Sequence, residues 1–331
     1  MNTNVRVKGK VRVYSVGGCG VNIGSLLEKH RGQSEAAFAE VDIVYVDTSK
    51  SNLRAHIDQS HCFMIEGLDG SGKLRSENHE EINDRVRSIL QMFKPTDLNI
   101  VVGSAAGGSG SVIGPLLTRE LLASEAPTIV LTIGSTDTKL DAENTLKTIK
   151  SYEAISKMAG APVVMAYVQN GQVTSRSEAD SIMFNTIMAL TVLFSRENLE
   201  LDSKDLFNWL RFNRVTTFPV QLASLSIIEN QSGIKEVGNI ISVATLAKDG
   251  VATSMAEMPE YQCVGFLSST AATPVVDRMP LHYVISDGIL PEVVKNINKL
   301  LSTLESAQLA RTRKVSIVTE KDNATDSGLI L

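Results

Sequence analysis

The stretch Gly103-Ser104-Ala105-Ala106-Gly107-Gly108-Ser109-Gly110-Ser111 has the residue types of an anion site. The apolar run Leu98-Asn99-Ile100-Val101-Val102 leads into it, and Ser111-Val112-Ile113-Gly114-Pro115-Leu116-Leu117 reads as the start of a helix. Glycine lets backbone N–H groups approach an anion closely, and a helix N-terminus adds a favourable dipole. Ser104, Ser109 and Ser111 supply hydroxyl donors. A tight turn with small residues chosen for packing is the bland alternative. The density of Gly, Ala and Ser favours a phosphate-binding loop.

The same logic recurs nearer the N-terminus. The strand-like Val11-Arg12-Val13-Tyr14-Ser15-Val16 ends at Gly17-Gly18-Cys19-Gly20, and Val21 onward reads as a helix. Gly18-Cys19-Gly20 gives G-x-G, but Ile23 stands where a dinucleotide fingerprint needs its third glycine. A further run, Asp42-Ile43-Val44-Tyr45-Val46-Asp47, ends in an acid. Asp47 suits a ribose hydroxyl, a water-mediated Mg2+ contact or a cap for the turn that follows. The string Gly67-Leu68-Asp69-Gly70-Ser71-Gly72-Lys73-Leu74 is one residue from a P-loop, with Leu74 in place of the Mg2+-binding hydroxyl. It reads as a flexible loop near a terminal phosphate, with Lys73 as a charge partner, or as a solvated surface turn.

Three more acids stand out. Asp180 precedes a long apolar helix, expected from Ser181 to about Ser195 and buried between two domains. It is either that helix's N-cap or a carboxylate accepting two donors side by side, as the N1–H and N2–H2 of guanine present them. Asp202 and Asp205 flank the start of another helix at capping spacing. Capping accounts for both locally, although their side chains can also converge on a water or cation.

Positioning these loops requires a sheet. Strand-like runs alternate with helices expected over Glu77 to Phe93 and Asp141 to Met158, and Thr128 to Ile133 and Pro162 to Val168 supply further strands. This alternation implies a mainly parallel sheet covered on both faces, with ligands at the carboxyl ends of its strands. Beyond Phe218 the pattern changes. Strands are expected at Asn239 to Leu246, Tyr261 to Leu267, Leu281 to Ser286 and Lys314 to Val318, with a helix from Pro291 to about Arg311. The tail is polar and then apolar at Leu329-Ile330-Leu331, which suits docking on a neighbouring subunit or simple fraying.

Composition narrows the function classes. The chain has 331 residues, 43% of them hydrophobic, enough for a large core divided into two domains. The formal charge of −5, without a Lys/Arg block, speaks against direct nucleic-acid binding. Three widely spaced cysteines without CxxC argue against a disulfide framework or zinc site and suit a reducing cytoplasm. No signal peptide and no membrane span are expected.

Together these segments resemble the tubulin/FtsZ superfamily, and within it the phage-encoded tubulins of the PhuZ type more than the division protein FtsZ. Ala106 to Ser111 is similar to the family's glycine-rich signature loop, with serines for threonines and Val112 for its final glycine. Gly17-Gly18-Cys19-Gly20-Val21-Asn22 resembles the first nucleotide loop, and Val46 to Leu53 the second. Asp180 falls where the family presents a guanine-contacting Asn. Asp202-Ser203-Lys204-Asp205-Leu206 resembles the catalytic loop, with Glu200 in place of its usual preceding Asn.

The resemblance implies an α/β fold: a Rossmann-like parallel-sheet GTPase domain (1–177), a central helix with the catalytic loop (178–214), and a second α/β domain with a mixed sheet (215–312). A last strand and C-terminal tail (313–331) would make subunit contacts. It implies GTP or GDP, with Mg2+, bound by Gly18, Cys19, Asn22, Asp47, Gly70, Ser71, Gly103, Ala106 to Ser111, Asp137 and Asp180. Asp202 and Asp205 would be catalytic, acting on the GTP of the neighbouring subunit. The protein would form longitudinal homopolymers with lateral contacts through the tail. It would work as a cytoskeletal filament in the host cytoplasm, with phage DNA or capsids as cargo. The competing readings are an FtsZ-like division protein, a Rossmann-type oxidoreductase, a P-loop NTPase using Lys73, and a nucleotide-binding scaffold without turnover.

Overall fold

The computed structural model describes residues 8–30, 38–68, 70–171, 173–229, 233, 237–251, 253, 258–267 and 279–312. The strand expected at Lys314 to Val318 and the apolar-tipped tail lie outside the described residues.

Eleven strands form one sheet in the order β3-β2-β1-β4-β5-β6-β8-β11-β9-β10-β7. The first six are β1 (Lys10–Val16), β2 (Glu40–Asp47), β3 (Cys62–Met64), β4 (Leu98–Ser104), β5 (Thr128–Ser135) and β6 (Val163–Asn170). All are parallel, in the Rossmann order 3-2-1-4-5-6. Their β-branched, nearly continuous apolar sequences suit strands covered on both faces: β5 is buried along its whole length.

The period of two divides these strands between two cores. Val13, Ile43 and Ile100 face α1 (Gly17–His30) and α5 (Arg176–Leu193). Tyr14, Val44 and Val101 face α2 (His79–Met92) and α3 (Gly110–Ala123). On the same side as α3, α4 (Lys139–Ala159) sends Tyr152 and Ile155 against Val130 and Val163.

The expectation for α5 needs two corrections. Its N-cap is Ser175, which forms a capping box with Glu178, so Asp180 sits inside the helix rather than before it. Nor is the helix sheathed all round: Met183, Ile187 and Leu190 are buried, but Ile182 is exposed.

After α5 come β7 (Asn198–Leu199), α6 (Ser203–Leu210), β8 (Leu222–Ile228), β9 (Ile240–Lys248), β10 (Tyr261–Leu267), β11 (Leu281–Ser286) and α7 (Ile289–Thr312). This half of the sheet is mixed: β11 runs antiparallel to both β8 and β9, while β10 is parallel to β9. β8 joins it to the first half through a short parallel ladder with β6. The buried Trp209 donates from Nε1 to the Tyr283 carbonyl (3.2 Å), and the Tyr283 hydroxyl donates to the Ala189 carbonyl of α5 (2.7 Å). The two halves therefore share a core as well as a sheet. No helix among the described residues is long and apolar enough to cross a membrane.

Candidate functional site

Between β1 and β4 the strand order reverses, which is where an open parallel sheet leaves a crevice at its carboxyl edge. A cleft of about 340 Å³ lies there. Gly18, Cys19 and Asn22 of α1 line it, with Ala106 and Gly107 after β4 and Asp180 of α5. α1 can lie this close because of Gly20: a Cβ there would stand 2.6 Å from the Ser15 carbonyl carbon and from the Val102 oxygen.

At the phosphate end the loop after β4 folds back on itself. Ala106 N–H donates to Ser104 Oγ (3.1 Å) and Ser111 Oγ donates to the Gly108 carbonyl (2.9 Å). No side chain caps the N-terminus of α3 at Ser109. An uncapped helix N-terminus beside a cleft has backbone donors to offer an anion.

The remaining loop residues build the wall. Gly103 lies within β4, and a Cβ on it would meet Val16 Cγ2 at 2.6 Å. Gly110 opens α3. Ser109 Oγ is 2.5 Å from Thr48 Oγ1 and 3.3 Å from Ser71 Oγ. Gly108 backs directly onto Ser71 and Lys73. Asn78 Nδ2 holds this second loop by donating to the Gly70 carbonyl (2.8 Å) and to Ser71 Oγ (3.0 Å).

Asp47 is buried behind the wall. One oxygen accepts from Thr48 N–H and the other from Asn52 Nδ2, both at 2.7 Å. Burial raises its pKa above the ordinary value, against the hydrogen bonds from Asn52, Thr48 and Ser49. Asn52 lines the cleft and Asp47 does not, so a water-mediated metal contact from Asp47 requires the residues in front of it to open a path. Among the described residues no cluster of three or more His, Cys, Asp or Glu is arranged to hold a metal ion.

The other end of the cleft is suited to a base. Arg54 Nη2 donates to Asn22 Oδ1 (2.8 Å). An arginine only donates, so this contact leaves the Asn22 Nδ2 donors for a ligand. Burial raises the pKa of Asp180, and the Arg176 charge lowers it. Burial, then the charge of Asp180, pushes the Cys19 thiol up to about 12, so Cys19 serves as an uncharged wall. Asp137 stands apart from the lining, 3.6 Å from the guanidinium of Arg176.

Ser104 of the glycine loop lines the cleft as its hydroxyl suggested, and so do four residues given no ligand role from the sequence: Asn52, Asn170, Arg176 and Asp141. Asn170 and Arg176 carried a positional signal, since one ends a parallel strand and the other begins the helix that follows. From the sequence Asp141 carries only the signal of a helix start.

Asp202 and Asp205 lie elsewhere. They form a capping box on α6: Asp202 Oδ1 accepts from Lys204 N–H (2.7 Å) and Asp205 N–H (2.9 Å), and Asp205 Oδ2 accepts from Asp202 N–H (3.1 Å). These backbone hydrogen bonds hold the Asp202 carboxyl below its ordinary pKa. One oxygen of each acid takes no part in the box. Asp202 borders a groove of about 740 Å³ together with Thr96, Asp97 and Pro127, the residues just before β4 and β5. It therefore sits at the amino edge of the sheet and the cleft at the carboxyl edge, roughly 20 Å apart by strand rise.

The whole chain has counterparts among known proteins. Residues 10–172 match the GTPase domain of the tubulin/FtsZ family, and residues 201–289 match the C-terminal domain of phage tubulin-like proteins. A phage tubulin-like protein of Pseudomonas phage PhiPA3 is 31% identical, over 98% of this chain and 99% of its own length. The protofilament of TubZ from bacteriophage PhiKZ superposes with a TM-score of 0.79 at 27% identity, covering 97% of this chain and 99% of the other. The phage tubulin PhuZ bound to GDP has the same fold, with a TM-score of 0.83 at 24% identity over 97% and 99% of the two chains. Two glycine loops meet at one cleft, the paired acids lie at the far edge of the sheet, and both halves match in order: the chain belongs to the phage tubulin-like proteins of the tubulin/FtsZ family.

Proposed function

We propose that the protein binds GTP in the cleft and hydrolyses it after head-to-tail assembly, when Asp202 and Asp205 of one copy reach the terminal phosphate held by the next. The observation that carries this reading is the placement of the two halves of the site at opposite edges of one sheet. Within a single chain they do not meet, whereas copies stacked along the strand direction bring them together. The protofilament formed by TubZ of PhiKZ and the GDP bound by PhuZ support the same reading.

The backbone N–H groups of Gly108, Ser109 and Gly110, aided by the α3 dipole, hold the phosphates and stabilise charge developing on them. Asn22 donates to the base and Asp180 accepts from it. The capping box fixes the incoming acids, and the oxygen that each keeps outside the box orients and polarises the attacking water. Thr48, Ser71 and Ser109 form a hydroxyl cluster that would suit the water shell of a magnesium ion carried by the triphosphate, which would spread the phosphates' negative charge. Hydrolysis then weakens the contact that made it possible, and the filament is dynamic.

In this reading residues 1–177 bind nucleotide, 178–214 carry the acids, 215–312 support them, and 313–331 make lateral contacts. The filament works in the cytoplasm of the infected host, positioning phage DNA or capsids. The test is 90° light scattering with GTP at several protein concentrations, with phosphate release followed in parallel. Scattering and hydrolysis rising at one threshold concentration support an active site formed between copies. Concentration-independent turnover without scattering sinks the proposal.

A further inference from the structure

Lys73 combines three features that the nucleotide-binding reading does not use. Its backbone is left-handed, at φ 66°, in a loop where Gly70 and Gly72 also take positive φ. Glycine adopts that conformation without steric cost, so a lysine there keeps its side chain against a backbone preference. Its Nζ lies 2.6 Å from Asp141 Oδ1, and both residues line the nucleotide cleft. Its backbone is pinned separately: Asn144 Nδ2 donates to the Lys73 carbonyl (2.8 Å) and to the Ala106 carbonyl of the glycine loop (3.2 Å). A Cβ on Gly108 would stand 3.1 Å from Lys73 N. The main chain of Lys73 is therefore locked to the phosphate wall while its side chain, nearly half exposed, can swing.

Asp141 is suited to release it. Its carboxylate is buried, and Oδ2 accepts the Thr138 hydroxyl (2.8 Å), while Asp141 N–H donates back to Thr138 Oγ1 (3.1 Å). The acid stays in place whether or not the lysine is on it. An ammonium close to the phosphate loop, held by a carboxylate, is a charge awaiting a stronger anion.

We propose that Lys73 and Asp141 form a latch that discriminates nucleoside triphosphate from diphosphate. With diphosphate the ammonium remains on Asp141. A terminal phosphate competes with the carboxylate and draws Lys73 away through a charge-assisted hydrogen bond. Asp141 is then the competitor that sets how strongly the triphosphate is preferred. This inference rests on the cleft being a GTP site, but not on hydrolysis or assembly.

The test is equilibrium binding of GDP and of a slowly hydrolysed GTP analogue, using the full chain below its assembly threshold. Lys73→Met should weaken the analogue about tenfold and leave GDP within about twofold, the loss of one charge-assisted contact to the third phosphate. Lys73→Arg should retain most of the preference. Asp141→Asn should tighten the analogue and not GDP, and adding it to Lys73→Met should recover part of the loss by removing an unpaired carboxylate. Equal effects of Lys73→Met on both nucleotides, or an Asp141→Asn variant that tightens neither, would overturn the latch and leave the GTP site standing. Failure of the unaltered chain to bind either nucleotide would overturn both.

Discussion

The Arg75 guanidinium donates to the Ser111 carbonyl at 3.2 Å, the oxygen that Pro115, lacking an N–H, leaves without its partner in the helical ladder. The same nitrogen also donates to Ser151 Oγ of α4 (3.2 Å), and burial lowers the guanidinium pKa. One side chain thus joins the loop at residues 70–78, the first turn of α3 and the middle of α4. Arg75→Met should cost about 1–2 kcal/mol, the loss of charge-assisted hydrogen bonds to a buried carbonyl. The cost should shrink in a Pro115→Ala background, where the helix satisfies Ser111 itself. Denaturant unfolding of the four proteins of the cycle measures the coupling, and a coupling of zero removes Arg75 from this role.

The two duties of Asp202 can be separated. Asparagine caps a helix about as well as aspartate, so Asp202→Asn should retain the capping geometry and the melting temperature. It removes the negative charge, however, and GTP turnover in assembled protein should fall by about 10²-fold or more. Asp205→Ala should retain GTP binding and also lose turnover. Unchanged phosphate release in both variants would leave the acids as caps alone.

Gly108 faces Ser71, with only 2.5 Å between a Cβ on the glycine and the Ser71 Cβ. Gly108→Ala should push the loop at residues 70–74 off the phosphate wall and weaken nucleotide binding about tenfold or more, with the fold retained. Replacing Ser71 by Gly in the same protein should recover part of the affinity. Fluorescence titration with a labelled nucleotide reads both changes.

His282 is buried in β11, its Nδ1 3.0 Å from Thr245 Oγ1, and burial lowers its pKa from the ordinary 6.5. The folded state keeps the imidazole neutral, whereas the unfolded chain takes up a proton near pH 6.5. The unfolded state therefore binds more protons between the two pKa values. The stability is complete above about pH 6.5 and is lost as pH falls toward the folded pKa. Melting temperature followed from pH 8 to pH 5 should decline in this window, and His282→Gln should flatten that part of the curve.

Much of the fold could be read from residue pattern because both strand kinds leave a signal. β10 and β11 were legible to the residue, since Tyr261 to Leu267 and Leu281 to Ser286 are rich in β-branched and aromatic residues. β8, Leu-Ala-Ser-Leu-Ser-Ile-Ile, escaped because small and hydroxyl residues dilute its period. α1 begins at Gly17 rather than Val21, since a crowded crossing against β1 and β4 overrides the poor helix propensity of glycine. α5 is capped by Ser175, whose Ser175-x-x-Glu178 spacing carries the capping-box signature, and not by Asp180.

At the site, the glycine loops were legible because phosphate chemistry demands a local pattern. Asp141 and Asn144 were not, because each owes its place to a contact made far along the chain, with Lys73 or Ala106. The separation of Asp202 from the cleft was implied by the family resemblance and not by the residues around it, since only the topology puts one at each edge of the sheet.

The joint between the two halves of that sheet is narrow. β6 and β8 pair only at Val163, Val164 and Met165 with Leu222, Ala223 and Ser224, whereas β5 and β6 pair from Ile129 to Ser135. Hydrogen bonds loaded side by side share a pull, and fewer of them yield at a smaller one. If copies join end to end as proposed, a load passed from one half to the other strains this three-pair joint before the seven pairs of β5 with β6 or the five of β8 with β11. Packing also crosses from one half to the other, with Ile297 of α7 on Ala142 and Leu146 of α4, Leu290 beside Tyr152 and Val163, and Tyr283 tied to Ala189. The sheet is thus thinnest in hydrogen bonds along one line, and the shared core is what holds its two sides together there.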